Sequence, residues 1–406
     1  MDKIKQTGSS LDAKIKFNIE AAEHELFRDE KIRHKRIDRR ARTLAALAVM
    51  CAIAYFVCLF LPDNITVNAA QHNLAWYFEM TSKNISVFFN TLAGTETSST
   101  RWHLTQYLIV ALVGMALSVN GAVYQGAFRN ALASPTTLGV QTGGALGGTV
   151  YILLFYREQT GITYALTEAQ NRSVFERYGQ SVFMMVGCFM MVAFVLFVAR
   201  RMNRGGRPSS IGLVLSGLVF GGTVGSVLGL IQYYLLMNDP EGGMSYALRY
   251  IMMGTFDYVY TPLHLLLIGT PIILCMAVVM ALRKKLNLLA FGEDEARTMG
   301  VNVDRIRRVA ISVATVLTAV IISFCGMIGF IGFMVPHVAR RMVGPDFNYL
   351  IPGSGLLGAL IMMVVFHVGR AFGLASTIGL MTSLVGGSIF MLLLLTYRRR
   401  GHADWA

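Results

Sequence analysis

Charged residues are scarce in this chain of 406 residues: Asp, Glu, Lys and Arg together make 15%, against 54% hydrophobic residues. A soluble globular protein carries about 25% charge, so an ordinary cytosolic protein is excluded, as are disordered and collagen-like chains. Cysteine is equally sparse. The five (Cys51, Cys58, Cys188, Cys275, Cys325) all fall in apolar stretches, and none forms a Cys-x-x-Cys pair. That leaves no disulfide framework and no zinc motif. No Gly-Lys dipeptide occurs anywhere, so there is no G-x-x-x-x-G-K-[ST] phosphate loop. His-Glu-x-x-His and Gly-x-Ser-x-Gly are missing too. The expectation is a non-enzymatic chain that binds no cofactor and no metal of its own.

What is present is a series of long apolar runs. They lie at about 42–61, 106–124, 136–154, 180–199, 211–236, 262–282, 349–368 and 378–395, with one longer stretch over 309–343. As a single helix that stretch is roughly 50 Å long, against a hydrocarbon core of ~30 Å. Gly326, Gly329 and Gly332 fall near its middle and Pro336 follows. It reads as two spans joined by a glycine-rich turn, the second one short. The fold class is therefore all-α, a polytopic membrane protein of about ten transmembrane helices. The domain layout is a cytoplasmic basic arm over 1–41, a permease-like bundle over 42–396 and a tail over 397–406. Within the bundle, 62–105 is an extracytoplasmic insertion and 283–308 a cytoplasmic loop.

Charge tests the count. With the N-terminus inside and ten spans, the inner segments hold 29 of the 36 Lys and Arg and the outer ones hold 7. The positive-inside bias then places both termini in the cytoplasm. The formal charge of +13 follows from this sorting and not from nucleic-acid binding. The arm up to and including Arg42 has 12 basic and 8 acidic residues. It reads as a solvated arm, with an amphipathic helix on the lipid surface as the alternative. The ~20-residue first span is too long for a signal peptide. Trp76 and Trp102 in the insertion suit a headgroup region.

Asp, Glu and Lys are essentially missing from the spans. Secondary transporters bind their coupling ion with buried ionisable groups. Only His264, His337 and His367 are available, each near a span end, and a lone His is usually structural. An ion-driven carrier is disfavoured, and the chain reads as a conduit whose energy source lies on another polypeptide. Glycines crowd two spans: Gly139, Gly143, Gly144, Gly147 and Gly148 in the third, Gly217, Gly221, Gly222, Gly225 and Gly229 in the fifth. Small residues let helices approach closely in lipid. The 23 Met read as apolar filler.

The loop 283–308 is the most informative. Gly292 precedes Glu293-Asp294-Glu295, then Ala296-Arg297-Thr298-Met299, then Gly300. Acids at the start and Gly past the end bound a helix of about seven residues. So short a helix is marginal in water and needs a packing partner. Two readings stand side by side: it transmits a partner's motion to the spans, or it packs on its own spans.

Here the chain resembles the vitamin B12 and iron-siderophore permeases (FecCD-type), membrane subunits of type II ABC importers. Gly121, Gln125, Arg129-Asn130, Pro135 and Leu138-Gly139-Val140 follow the family's G-x-x-x-Q-x-x-x-R-N-P-L-A-x-P-x-x-L-G-V. Leu289 to Gly300 is similar to its L-x-L-G-E-E-x-A-x-x-L-G. Gly329 to Arg340, with Pro336-His337, matches G-F-[IV]-G-L-x-[IV]-P-H-[IV]-x-R. Gly379 to Gly386 resembles G-V-V-T-x-L-[IL]-G. The resemblance covers about residues 104–396.

It implies a coupling helix made of Gly292, Glu293, Asp294, Glu295, Ala296, Arg297 and Gly300, seated in an ATPase. It implies docking of an extracytoplasmic binding protein near Arg101, His103 and Arg370. Structural or gating roles go to Gln125, Arg129, Asn130, Pro135, Gly139, Pro336, His337 and Arg340. The implied partners are ABC ATPases carrying ATP-Mg, a binding protein, a second permease subunit (identical or a sister chain) and the lipid bilayer of a bacterial cytoplasmic membrane, with no nucleic acid. The cargo is an iron chelate, a ferric siderophore or haem, with vitamin B12 as the alternative. A non-transporting membrane scaffold or sensor is the reading from another class. There are departures. Ala131 stands for Pro. His103-Leu-Thr-Gln106 stands for R-x-P-R, Ala375-Ser376-Thr377 for E-x-P, and Gly386-Gly387-Ser388 for G-x-P. They favour a heterodimer.

Overall fold

A computed structural model of the chain describes residues 37–61, 81–82, 85–86, 99–131, 133–155, 174–202, 210–239, 243–259 and 261–398. The arm over 1–36, most of the insertion and the tail beyond Arg398 lie outside the described residues. Every regular element described is helical. In chain order these are α1 (Ile37–Phe60), α2 (Ser99–Phe128), α3 (Val140–Phe155), α4 (Val174–Met202), α5 (Ser210–Asn238), α6 (Gly243–Met253), α7 (Pro262–Phe291), α8 (Glu293–Thr298), α9 (Val303–Cys325), α10 (Ile331–Val343), α11 (Phe347–Ala371) and α12 (Ile378–Arg398). Eight are long and apolar enough to cross a membrane: α1, α2, α4, α5, α7, α9, α11 and α12. With the shorter α3 and α10, the ten apolar runs of the sequence each form a helix.

Hydrogen bonds define the two ends of the bundle. At one end the start of α1, the ends of α2, α7 and α10 and the starts of α9 and α11 meet: Arg40 reaches Asp346, Asn287 reaches Asp346, and Arg307 reaches Ala127. At the other end the start of α2 meets the loop after α6 and the end of α11. Arg283, Lys284, Lys285, Arg305, Arg307, Arg308, Arg340 and Arg341 all lie at the first end, which makes it the cytoplasmic one.

The 309–343 stretch divides as expected, though α9 starts at Val303 rather than near Val309. Asp304, Arg305, Arg307 and Arg308 lower its hydropathy, yet the Asn302 side chain caps the Arg305 amide and carries the helix past the lipid. It ends at Gly326, whose φ of 70° lies in the left-handed region where L side chains are strained. Irregular backbone within a bundle needs internal partners, because lipid offers none. Met327 N–H donates to Ile251 O (2.8 Å), Thr255 N–H to Cys325 O (2.8 Å), and Gln141 Nε2 to Ile328 O (2.7 Å). α10, 13 residues long, is then about 20 Å. It is a half-span running from mid-bundle to the cytoplasmic end.

The third helix behaves as its glycines suggest. Gly143 and Gly147 lie against Gly187 and Phe183 O of α4, so the two backbones touch. The fifth behaves so only in part. Gly217 and Gly221 pack on the 137–139 turn, but Gly222, Gly225 and Gly229 face open space, flanked by exposed Leu218, Leu230 and Tyr233. That face of α5 meets no other described residue of the chain. The main core joins α2, α7, α9, α10 and α11, and a second joins α3, α4 and α9.

Candidate functional site

The cytoplasmic helix is built as the sequence proposes. α7 ends at Phe291, and Gly292 turns the chain with φ 149° and its N–H on Leu289 O. Glu293, Asp294 and Glu295 fill the first turn of a six-residue helix, where anions suit the dipole. Gly300 closes it at φ 79°, with N–H on Arg297 O (3.0 Å). Ala296 is fully buried and packs with Leu289 and Val303, and Val301 N–H returns to Ala296 O (2.9 Å). So α8 does pack on its own spans.

The same geometry also gives it an outward face. Asp294, Glu295 and Arg297 are exposed, and two large apolar side chains flank them, Phe291 (70% exposed) and Met299 (56%). Glu293, itself partly exposed, forms an ion pair with the largely buried Arg307. Arg307 also donates to Ala127 O (3.3 Å), and its guanidinium lies 6.0 Å from the Phe128 ring. One arginine that the sequence did not single out thus ties α8 to the end of α2. Arg297 pairs with Asp304 at 3.6 Å, tying α8 to the first turn of α9.

The second constellation lies where α2 meets α10. Gln125 Nε2 donates to Phe333 O (3.2 Å) and lies 3.4 Å from His337 Nδ1, while Arg340 Nη2 donates to Gln125 Oε1 (3.3 Å). His337 and Phe333 pack on Phe390 of α12, ring centroids 5.7 and 4.5 Å apart. Gln125, His337 and Arg340 therefore form one cluster joining three helices. Arg129, Asn130, Pro135 and Gly139 form instead the turn that links α2 to α3. Arg129 has φ 48°, Asn130 N–H donates to Gln125 O, Pro135 O accepts Val140 N–H, and Gly139 has φ 69°. Pro336, inside α10, is fully buried.

At the outer end Arg370 Nη1 donates to Gln106 Oε1 (3.1 Å) and to His103 Nδ1 (3.0 Å), with the guanidinium 5.7 Å from the Phe366 ring. Gln106 Nε2 donates to Phe256 O (2.8 Å). His103 and Arg370 are brought together as a pair. The Arg101 side chain lies outside the described ones. Gln106, 8% exposed, which the sequence marks only as a departure from R-x-P-R, links Arg370 to the Phe256 carbonyl. Nearby, Ser376 Oγ donates to Asp257 Oδ2 (2.6 Å). Among the described residues no group of His, Cys, Asp or Glu has the arrangement of a metal site.

The FecCD transport family matches residues 73–396 of the chain. A cobalamin import system permease protein of Halobacterium salinarum is 32% identical over 72% of this chain and 71% of its own length. A hemin transport system permease protein of Yersinia pestis is 29% identical over 78% and 90%. A molybdate import system permease protein of Haemophilus influenzae is 29% identical over 73% and 81%. A solved structure described as an inward-facing conformation of a metal-chelate type ABC transporter superposes with a TM-score of 0.67. It is 26% identical and covers 88% of this chain and 99% of that one.

Proposed function

We propose that this chain, which belongs to the FecCD transport family, carries an iron chelate, a ferric siderophore or haem, across a bacterial cytoplasmic membrane. Its place as a permease of an ABC importer follows from the family. The finer reading adds three partners: an ATPase that holds ATP-Mg beneath α8, a binding protein above His103 and Arg370, and a second permease subunit. The observation that carries it is α8: a six-residue helix fixed to α2 and α9 from within, exposing Phe291, Asp294, Glu295 and Met299 on the cytoplasmic side. A helix that were only a connector has no use for two large exposed apolar groups in water, each a loss of about 1.5–3 kcal/mol of burial. A groove on an ATPase accounts for them.

The second permease subunit has a place in the same reading. It lies along the unpartnered face of α5 and the exposed side of α12 (Leu384, Met391, Leu392), and the passage runs between the two chains. Spans with essentially no carboxylates pass a bulky chelate without holding it. Cobalamin is the second reading, favoured by the relative from Halobacterium salinarum.

The test is uptake of radiolabelled ferric siderophores, haem and cobalamin in a deletion strain complemented with this chain. Loss of iron-chelate uptake, restored on complementation, is the expected result. Loss confined to cobalamin moves the reading to the second cargo. No change in any of the three contradicts both.

A further inference from the structure

Arg307 and Ala296 hold α8 against the bundle. A second attachment lies five residues before Gly292, where no motif singles out a residue. Asn287, near the end of α7, donates Nδ2–H to Asp346 Oδ1 (2.7 Å) and accepts the Phe347 N–H on its Oδ1 (2.8 Å). Asp346 is the N-cap of α11, and the same Oδ1 accepts Asn348 N–H (2.9 Å) and Asn348 Nδ2–H (2.8 Å). Its Oδ2 faces Arg40 Nη1 at 3.8 Å, and the Arg40 guanidinium lies 5.5 Å from the Tyr349 ring. α1, α7 and α11 thus converge on one carboxylate, in the turn 344–346 that joins α10 to α11.

Capping alone does not require this. An N-cap needs one acceptor, which Asn, Ser or Thr supplies as well as Asp. Asn287 adds a two-point attachment, one donor and one acceptor on consecutive residues, and two points fix orientation as well as distance. The Arg40 contact is a half-exposed ion pair at long range and adds little. The rigid link is thus Asn287 to Asp346 and Phe347. It connects the α7 end that leads into α8 with the turn that ends α10, and α10 carries His337 and Arg340 of the Gln125 cluster.

We infer that Asn287 and Asp346 are positioning residues for transport: they form the joint through which displacement of α8 moves α10. The inference rests on α8 being the seat of the ATPase. The quantity that reads the joint is the number of ATP hydrolysed per chelate imported, because a merely structural lesion lowers the amount of protein and both rates together without changing their ratio.

The experiment uses the complete complex, with ATPase and binding protein, in proteoliposomes. Asn287→Leu keeps the side-chain size but removes both hydrogen bonds, and is expected to raise the ratio about fivefold, the effect of about one net hydrogen bond lost. Asn287→Asp places two carboxylates together and is expected to do the same. Asp346→Asn keeps the cap and an acceptor and stays near wild type. Asn287→Asp is nearly isosteric, so it keeps the test decisive should Asn287→Leu fail to insert. A wild-type ratio in Asn287→Leu or in Asn287→Asp overturns the joint while leaving α8 as the ATPase seat. A wild-type complex without ATP-driven uptake overturns both.

Discussion

Single residues carry the close contacts. Gly121 packs on the Gly332 carbonyl, backbone against backbone, where α2 crosses the start of α10. A Cβ there has nowhere to go, and overpacking costs about 1–3 kcal/mol. Gly121→Ala should lower the melting temperature of the detergent-solubilised chain by several degrees, and an unchanged melt contradicts the contact. Arg370 illustrates a residue whose environment shifts its meaning. The sequence marks it as a docking arginine by resemblance, and the structure engages it with His103 and Gln106. Arg370→Glu is therefore expected to weaken binding-protein affinity, more at low ionic strength than at high, because surface charge is screened by salt. It should also loosen the outer end. Equal affinity at low salt removes the docking role.

At the scale of elements, α8 separates residues that the sequence grouped together. Glu293 is tied to Arg307, whereas Asp294 and Glu295 are exposed and face out. Glu293→Lys should disturb the seat of α8 itself and lower thermal stability. Glu295→Lys should leave stability unchanged and weaken ATPase binding, as measured by co-purification. Gly300→Pro is the sharper change. Proline holds φ near −65°, but Gly300 sits at 79° and donates its N–H to Arg297 O. Uptake should fall while membrane insertion persists, and wild-type uptake contradicts the role of α8.

The spans were legible because lipid imposes one simple rule, some twenty apolar residues per crossing. The break at Gly326 was legible for the same reason, since no single helix of that length fits the core. The start of α9 was not, because its first turns leave the lipid and lose their hydropathy while remaining helical. α6 was missed as well, being eleven residues and too short for periodicity to separate it from a loop. Asn287–Asp346 and Gln106–Phe256 join residues 59 and 150 positions apart. No local pattern encodes such pairs, and only the packed bundle shows them.

The described residues form a bundle with a fixed cytoplasmic handle and one helix, α5, whose Gly222, Gly225 and Gly229 face open space. Two attachments join the handle to the bundle, Arg307 toward α2 and Asn287 toward α10 and α11. Both lead to Gln125 and His337, where α2, α10 and α12 meet. A push on α8 therefore reaches α2, α10 and α11 at the cytoplasmic end, and the lipid-crossing runs hold essentially no carboxylate with which to capture an ion gradient instead. The most direct measurement is chelate uptake into proteoliposomes containing this chain and the proposed second subunit, with and without the proposed ATPase. The account predicts no uptake on an ion gradient alone, uptake with ATPase, binding protein and ATP, and loss of that uptake when Phe291 and Met299 are both changed to Asp. Gradient-driven uptake without the ATPase would contradict it.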